Sequence, residues 1–124
     1  MVTLDTNAVI YYLKGEVSIA ETLEPIIRAY TPMFIATVTE VELFSSPTLT
    51  SEENARIEAL LPLFSIILLD SHIARKAGEF RRLYPRLKLA DSVIAATALF
   101  THSTLLTRNA RDFRKIIGLT VRRI

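Results

Sequence analysis

Cysteine is absent from this 124-residue sequence, and glycine is scarce, with three copies. Without cysteine there can be no disulfide, no thiolate metal site and no cysteine nucleophile. The chain must hold itself together through a hydrophobic core. Half of it is hydrophobic, and at this length it can bury enough apolar surface without cross-links. The lack of cysteine also suits a reducing compartment. Gly15, Gly78 and Gly118 fall into no phosphate-cradling pattern, which argues against a P-loop or dinucleotide-binding fold. No long apolar run exists: Ala90 to Phe100 is too short to span a bilayer and contains Asp91. The opening MVTLDTN has no basic region and carries an acid early, unlike a signal peptide. The expectation is one soluble, cytoplasmic domain over residues 1–124 that does not enter a membrane.

What is present is unevenly charged. Residues 1–74 hold only Lys14, Arg28 and Arg56 against ten acids. Residues 75–124 hold twelve basic residues against Glu79, Asp91 and Asp112, so the net charge of +2 conceals two opposed halves. A basic half suits a surface that attracts a polyanion, although helix faces also need charge for solubility.

Short apolar runs alternate with helical patterns. Strands are expected at Met1 to Leu4, Met33 to Val38, Ser65 to Leu69, Thr104 to Leu106 and Leu119 to Arg122. Helices are expected at Thr6 to Leu13, Ile19 to Ala29, Thr39 to Phe44, about Thr50 to Leu60, Ser71 to Tyr84, Leu89 to Phe100 and Ala110 to Ile116. Thr50 and Glu53 form a capping-box pattern. The Ser65 run is continuous, as in a buried parallel strand. Strands interleaved with helices imply an α/β fold with a parallel sheet covered on both faces. Ligands then bind beyond the carboxyl ends of the strands, which draws attention to Asp5, Asp70, Thr107, Arg108 and Asn109.

Asp5 can cap the helix that follows it or serve as a ligand at a strand end. Glu42 lies in TVTEVELF, where Thr39 and Glu42 also fit a capping box. Glu40 is its rival, and on one helix the two point to different faces. Asp91 sits in LKLADSVIAATALF, a helix apolar nearly all round, where a carboxylate needs a compensating partner. TRNARDF adds Asn109 and Asp112. Carboxylates converging on one cleft repel one another unless a cation joins them. Without cysteine, and with only His72 and His102 at no ligand spacing, an all-oxygen site suits Mg²⁺ or Mn²⁺ rather than zinc.

These elements together resemble a known family. DTN after the first strand, TVTEVEL, KLADSVIAATAL and LLTRNARDF are similar, in order and spacing, to the PIN domain, specifically VapC-type toxins of toxin–antitoxin pairs. The resemblance implies a three-layer α/β/α fold with a mostly parallel sheet of about five strands. It implies an Mg²⁺- or Mn²⁺-dependent endoribonuclease, a homodimer and a cognate antitoxin. By position, Asp5, Glu42 and Asp91 match the family's acids, which favours Glu42 over Glu40. Many members carry aspartate where this chain has Asn109, so Asp112 is taken as the fourth acid. Thr6, Asn7, Thr107 and Asn109 are then expected to steady the acids or a water. Arg108, Arg111, Arg114 and Lys115 are expected to contact RNA.

Other readings compete. Asp70 after the third strand fits a phosphoacceptor receiver domain, although strand one lacks a paired acid and no lysine follows a fifth strand. The altered fourth position also fits a catalytically inactive RNA- or partner-binding module. Arg75, Lys76, Arg81, Arg82, Arg86 and Lys88 crowd one helix and its exit and can be a solvated face. Tyr11 and Tyr12 are read as core or dimer surface, and His72 and His102 as structural or surface residues.

Overall fold

The computed structural model describes residues 1–124. The strands are β1 (Val2–Leu4), β2 (Met33–Ala36), β3 (Ser65–Ile67), β4 (Thr104–Thr107) and β5 (Val121–Arg123). The helices are α1 (Thr6–Leu13), α2 (Val17–Arg28), α3 (Thr37–Leu43), α4 (Ser51–Leu60), α5 (Ser71–Leu83), α6 (Leu89–Phe100) and α7 (Ala110–Phe113). All five strands are parallel, in the order β3-β2-β1-β4-β5. The chain winds outward from β1 through β2 to β3, then returns to the other side of β1 as β4. That reversal between β1 and β4 opens a crevice at their carboxyl ends.

The pleat sends alternate residues to opposite faces. Leu106 and Ile35 join one core with Ala8 and Val9 of α1, Ile19 and Leu23 of α2, and Ile57 and Leu60 of α4. Leu105 and Ala36 join the other, with Ile73, Ala77 and Phe80 of α5 and Val93 to Ala96 of α6. This is the three-layer α/β/α arrangement. In α6 every residue from Ser92 to Ala98 is buried. α4 opens with the expected capping box, Thr50 and Glu53 each serving the other's backbone N–H.

Three expectations change. The Ser65 run is an edge strand, not a buried one: it ends at Ile67, and Leu68 and Leu69 leave the sheet exposed. α7 stops at Phe113 rather than Ile116. α3 begins at Thr37, two residues early, because the sheet edge is reached at Ala36. Thr39 therefore lies inside α3, the N-cap is Ala36 with no side-chain bond, and the Thr39–Glu42 capping box does not form.

Candidate active site

Asp5 ends the central strand and caps α1, so its carboxylate stands at the crevice. Its Oδ1 accepts a hydrogen bond from Ala8 N at 2.8 Å, and its Oδ2 accepts one from the Thr107 hydroxyl. The capping and ligand readings of Asp5 are thus compatible, since each carboxylate oxygen has further lone-pair capacity. The Thr107 hydroxyl in turn accepts from Asn109 N at 2.9 Å. No buried side-chain nitrogen or oxygen in the chain lacks a partner.

Freed from capping, Glu42 reaches the crevice from the last turn of α3. The Thr6 hydroxyl donates to its Oε1 at 2.6 Å and lies 3.2 Å from the Thr39 hydroxyl. One proton serves one acceptor, and the shorter, charge-assisted bond to Glu42 takes it. Asp91 occupies the first turn of α6, after Lys88 at the N-cap. Asp112, in α7, accepts from Asn109 Nδ2 at 2.7 Å, so the two candidates for the fourth position are joined.

These groups line two adjoining clefts. One, of about 260 Å³, holds Asp5, Thr6, Asn7, Glu42, Lys88, Asp91 and Asn109. The other, of about 560 Å³, shares Lys88, Asp91 and Asn109 and adds Arg86, Arg111, Asp112 and Lys115. Acid and base thus meet in a trough formed by two clefts with Lys88, Asp91 and Asn109 in common. Glu40 lines neither cleft.

The electrostatics follow from this crowding. Burial pushes the Asp5 carboxyl above its usual range, and Glu42 adds to that, against the lowering effect of the Thr107 and Ala8 hydrogen bonds. Asp91 is pushed up to about 6, first by burial and then by the charge of Asp5, with smaller contributions from Glu42 and Asp112, while Lys88 opposes the rise. Each acid therefore makes its neighbour harder to ionise. A divalent cation would relieve that repulsion, and the donor set is entirely carboxylate, hydroxyl and amide oxygen, which suits a hard ion. As the side chains stand, no three acidic or histidine groups converge tightly enough to hold an ion, so the fit rests on charge and donor type.

Other residues lie elsewhere. Arg108 turns away from the clefts: its Nη2 sits 2.7 Å from Glu16 Oε1 and donates to Ser18 Oγ at 3.0 Å. It therefore pairs with Glu16 and Ser18 and, unlike Arg111 and Lys115, lines neither cleft. Arg114 is exposed and lines neither cleft. Asp70 follows the edge strand and caps α5 through Ile73 N at 2.8 Å, away from Asp5, which leaves no shared pocket for a receiver chemistry. His72 packs edge-on against Phe100, and His102 lines the same surface pocket without forming a metal cluster.

The PIN domain family profile matches residues 2–119. The chain belongs to the PIN domain family. Ribonuclease VapC10 of Mycobacterium tuberculosis is 31% identical over 117 residues, covering 91% of this chain and 86% of that protein. A toxin–antitoxin complex from Klebsiella pneumoniae contains a chain 30% identical, with a TM-score of 0.80 over 97% of this chain and 96% of that one. VapBC2 from Rickettsia felis, solved bound to a DNA fragment from its promoter, matches in fold at TM-score 0.85 and 22% identity, covering 100% of this chain and 99% of that one.

In this PIN domain, sequence reasoning pointed to Asp5, Thr6, Asn7, Glu42, Asp91, Thr107, Asn109 and Asp112; seven of them line the two clefts, and Thr107 is buried behind them, bonded to Asp5. It overlooked Arg86 and Lys88, which were grouped with a solvated helix face. The signal was available: Lys88 precedes Asp91 by one helical turn in KLAD, so the two must open the same end of α6.

Proposed function

We propose that this PIN domain is a metal-dependent endoribonuclease and the toxin of a toxin–antitoxin pair. The observation that carries the reading is the trough in which Asp5, Glu42, Asp91 and Asp112 meet Arg86, Lys88, Arg111 and Lys115. The similarity to Ribonuclease VapC10 and to a chain of a toxin–antitoxin complex supports the class of activity and partner. The homodimer belongs to the same proposal. No helix is long and apolar enough to cross a membrane.

Asp5, Asp91 and Asp112, with Glu42, would hold Mg²⁺ or Mn²⁺. Bound there, the ion would supply an acidified water and offset the charge on phosphate. The chain's own groups do the rest. Thr107 and Ala8 N fix the Asp5 carboxylate, and Thr6 fixes Glu42. Arg86, Lys88, Arg111 and Lys115 hold the RNA backbone against the acidic floor, which would otherwise repel it. Asn109 orients Asp112.

Purified protein should cut RNA with Mg²⁺ or Mn²⁺ and lose that activity in EDTA or as Asp5→Asn. Full activity in EDTA would overturn the metal reading. RNA binding without cleavage in every divalent metal would favour the inactive binding module instead.

A further inference from the structure

Four ion pairs form in the chain, and three are local: Arg28–Glu24, Arg56–Glu52 and Lys76–Glu79 each join neighbours on one helix. The fourth, Arg108–Glu16 at 2.7 Å, joins the β4–α7 loop to the α1–α2 turn. The Arg108 side chain is 34% exposed, against 80% for Arg28 and 60% for Arg56, so it is better shielded from screening water. Its guanidinium lies over the Tyr11 ring, 4.3 Å from the centroid, and also reaches Ser18 Oγ. One planar group thus touches the end of α1, the turn and the start of α2, a combination suited to arginine.

The turn is arranged for this contact. Gly15 takes a left-handed φ of +74°, which delivers Glu16 to the N-cap of α2. Glu16 makes no capping bond there, and its carboxylate goes to Arg108 instead. Arg108 itself stands between Thr107, which holds Asp5, and Asn109, which holds Asp112 and whose N–H holds Thr107. Anchoring Arg108 fixes the backbone on which both depend.

We propose that Arg108 is a positioning residue: clamped by Glu16, Ser18 and Tyr11, it holds the Thr107–Asn109 loop in register with the carboxylates. The inference rests on the nuclease reading for its kinetic test only.

The rival is that Arg108 contacts RNA phosphate, and the two predict opposite signs. As a clamp, Arg108→Ala and Glu16→Ala should each lower kcat about tenfold at little changed KM, and the double variant should be no worse than either single one. Arg108→Lys should not restore kcat, since an ammonium cannot span three partners. As a phosphate contact, Arg108→Ala would raise KM, Arg108→Lys would retain function, and Glu16→Ala would lower KM by freeing the guanidinium; that pattern overturns the proposal. Amide hydrogen exchange at Asn109 gives a readout that needs no activity. It should quicken in both single variants at an unchanged melting temperature, and unchanged exchange would overturn the clamp even if the wild-type protein cuts no RNA.

Discussion

Asp91 is a carboxyl that folding makes harder to ionise, and the consequence for stability runs opposite to the usual aspartate. Its stabilising contribution is fully present below the unfolded value of 3.8 and is lost as pH rises through about 6. Near neutral pH the ionised group works against the metal-free fold. Asp91→Asn is therefore expected to melt higher than the wild type in EDTA at pH 7.5, with the difference vanishing by pH 4, followed by circular dichroism. The full shift corresponds to about 3 kcal/mol, which partial solvent exposure reduces to about 1 kcal/mol. Added Mn²⁺ should then raise the melting temperature of the wild type and leave Asp91→Asn unmoved. A variant less stable than the wild type in EDTA at pH 7.5 would contradict this account of the site.

At the scale of elements, two helix ends hold residues that fit them poorly. Tyr30 follows α2 at φ 53° and His102 follows α6 at φ 52°, both left-handed positions that favour glycine. Tyr30 is 93% exposed and has no core packing to lose. Tyr30→Gly should stabilise the fold by about 0.5–1 kcal/mol in urea denaturation. The two helix ends were legible to within a residue, but the left-handed turns were not, because no glycine or asparagine marks them. By contrast, α4 was legible from Thr50 and Glu53, and α6 from its continuous apolar run. The start of α3 was hidden because the β-branched Thr37-Val38-Thr39 extends a strand pattern past the true sheet edge. β3 was misread because an apolar run does not tell where its strand lies in the sheet order. Asp91 stood out as the one acid in an otherwise apolar helix, whereas Asp5 and Glu42 could be told from helix caps only with the strand-end rule and the family resemblance. The Arg108–Glu16 pair was not legible, because the two lie ninety-odd residues apart and only the fold brings them together.

For the whole molecule, the basic residues that the sequence concentrates in its second half come together with acids drawn from both halves. Four cations along the trough should make RNA binding salt-sensitive, with a log–log slope of about −3 for single strands. Arg111→Ala combined with Lys115→Ala should flatten that slope by about 1.4, measured by filter binding in Ca²⁺ over a salt series. An unchanged slope would move the RNA path elsewhere. The sheet order has a further consequence in time. Val2 to Leu4 pair with Thr104 to Leu106, so the central strand waits for a partner made a hundred residues later. Asp5 likewise meets Thr107 only then. A ribosome making this chain therefore adds about a hundred residues after the first acid of the site before the site can close. Fragments ended before β4 would lack both the partner strand of β1 and the hydroxyl that holds Asp5, so they would be inert.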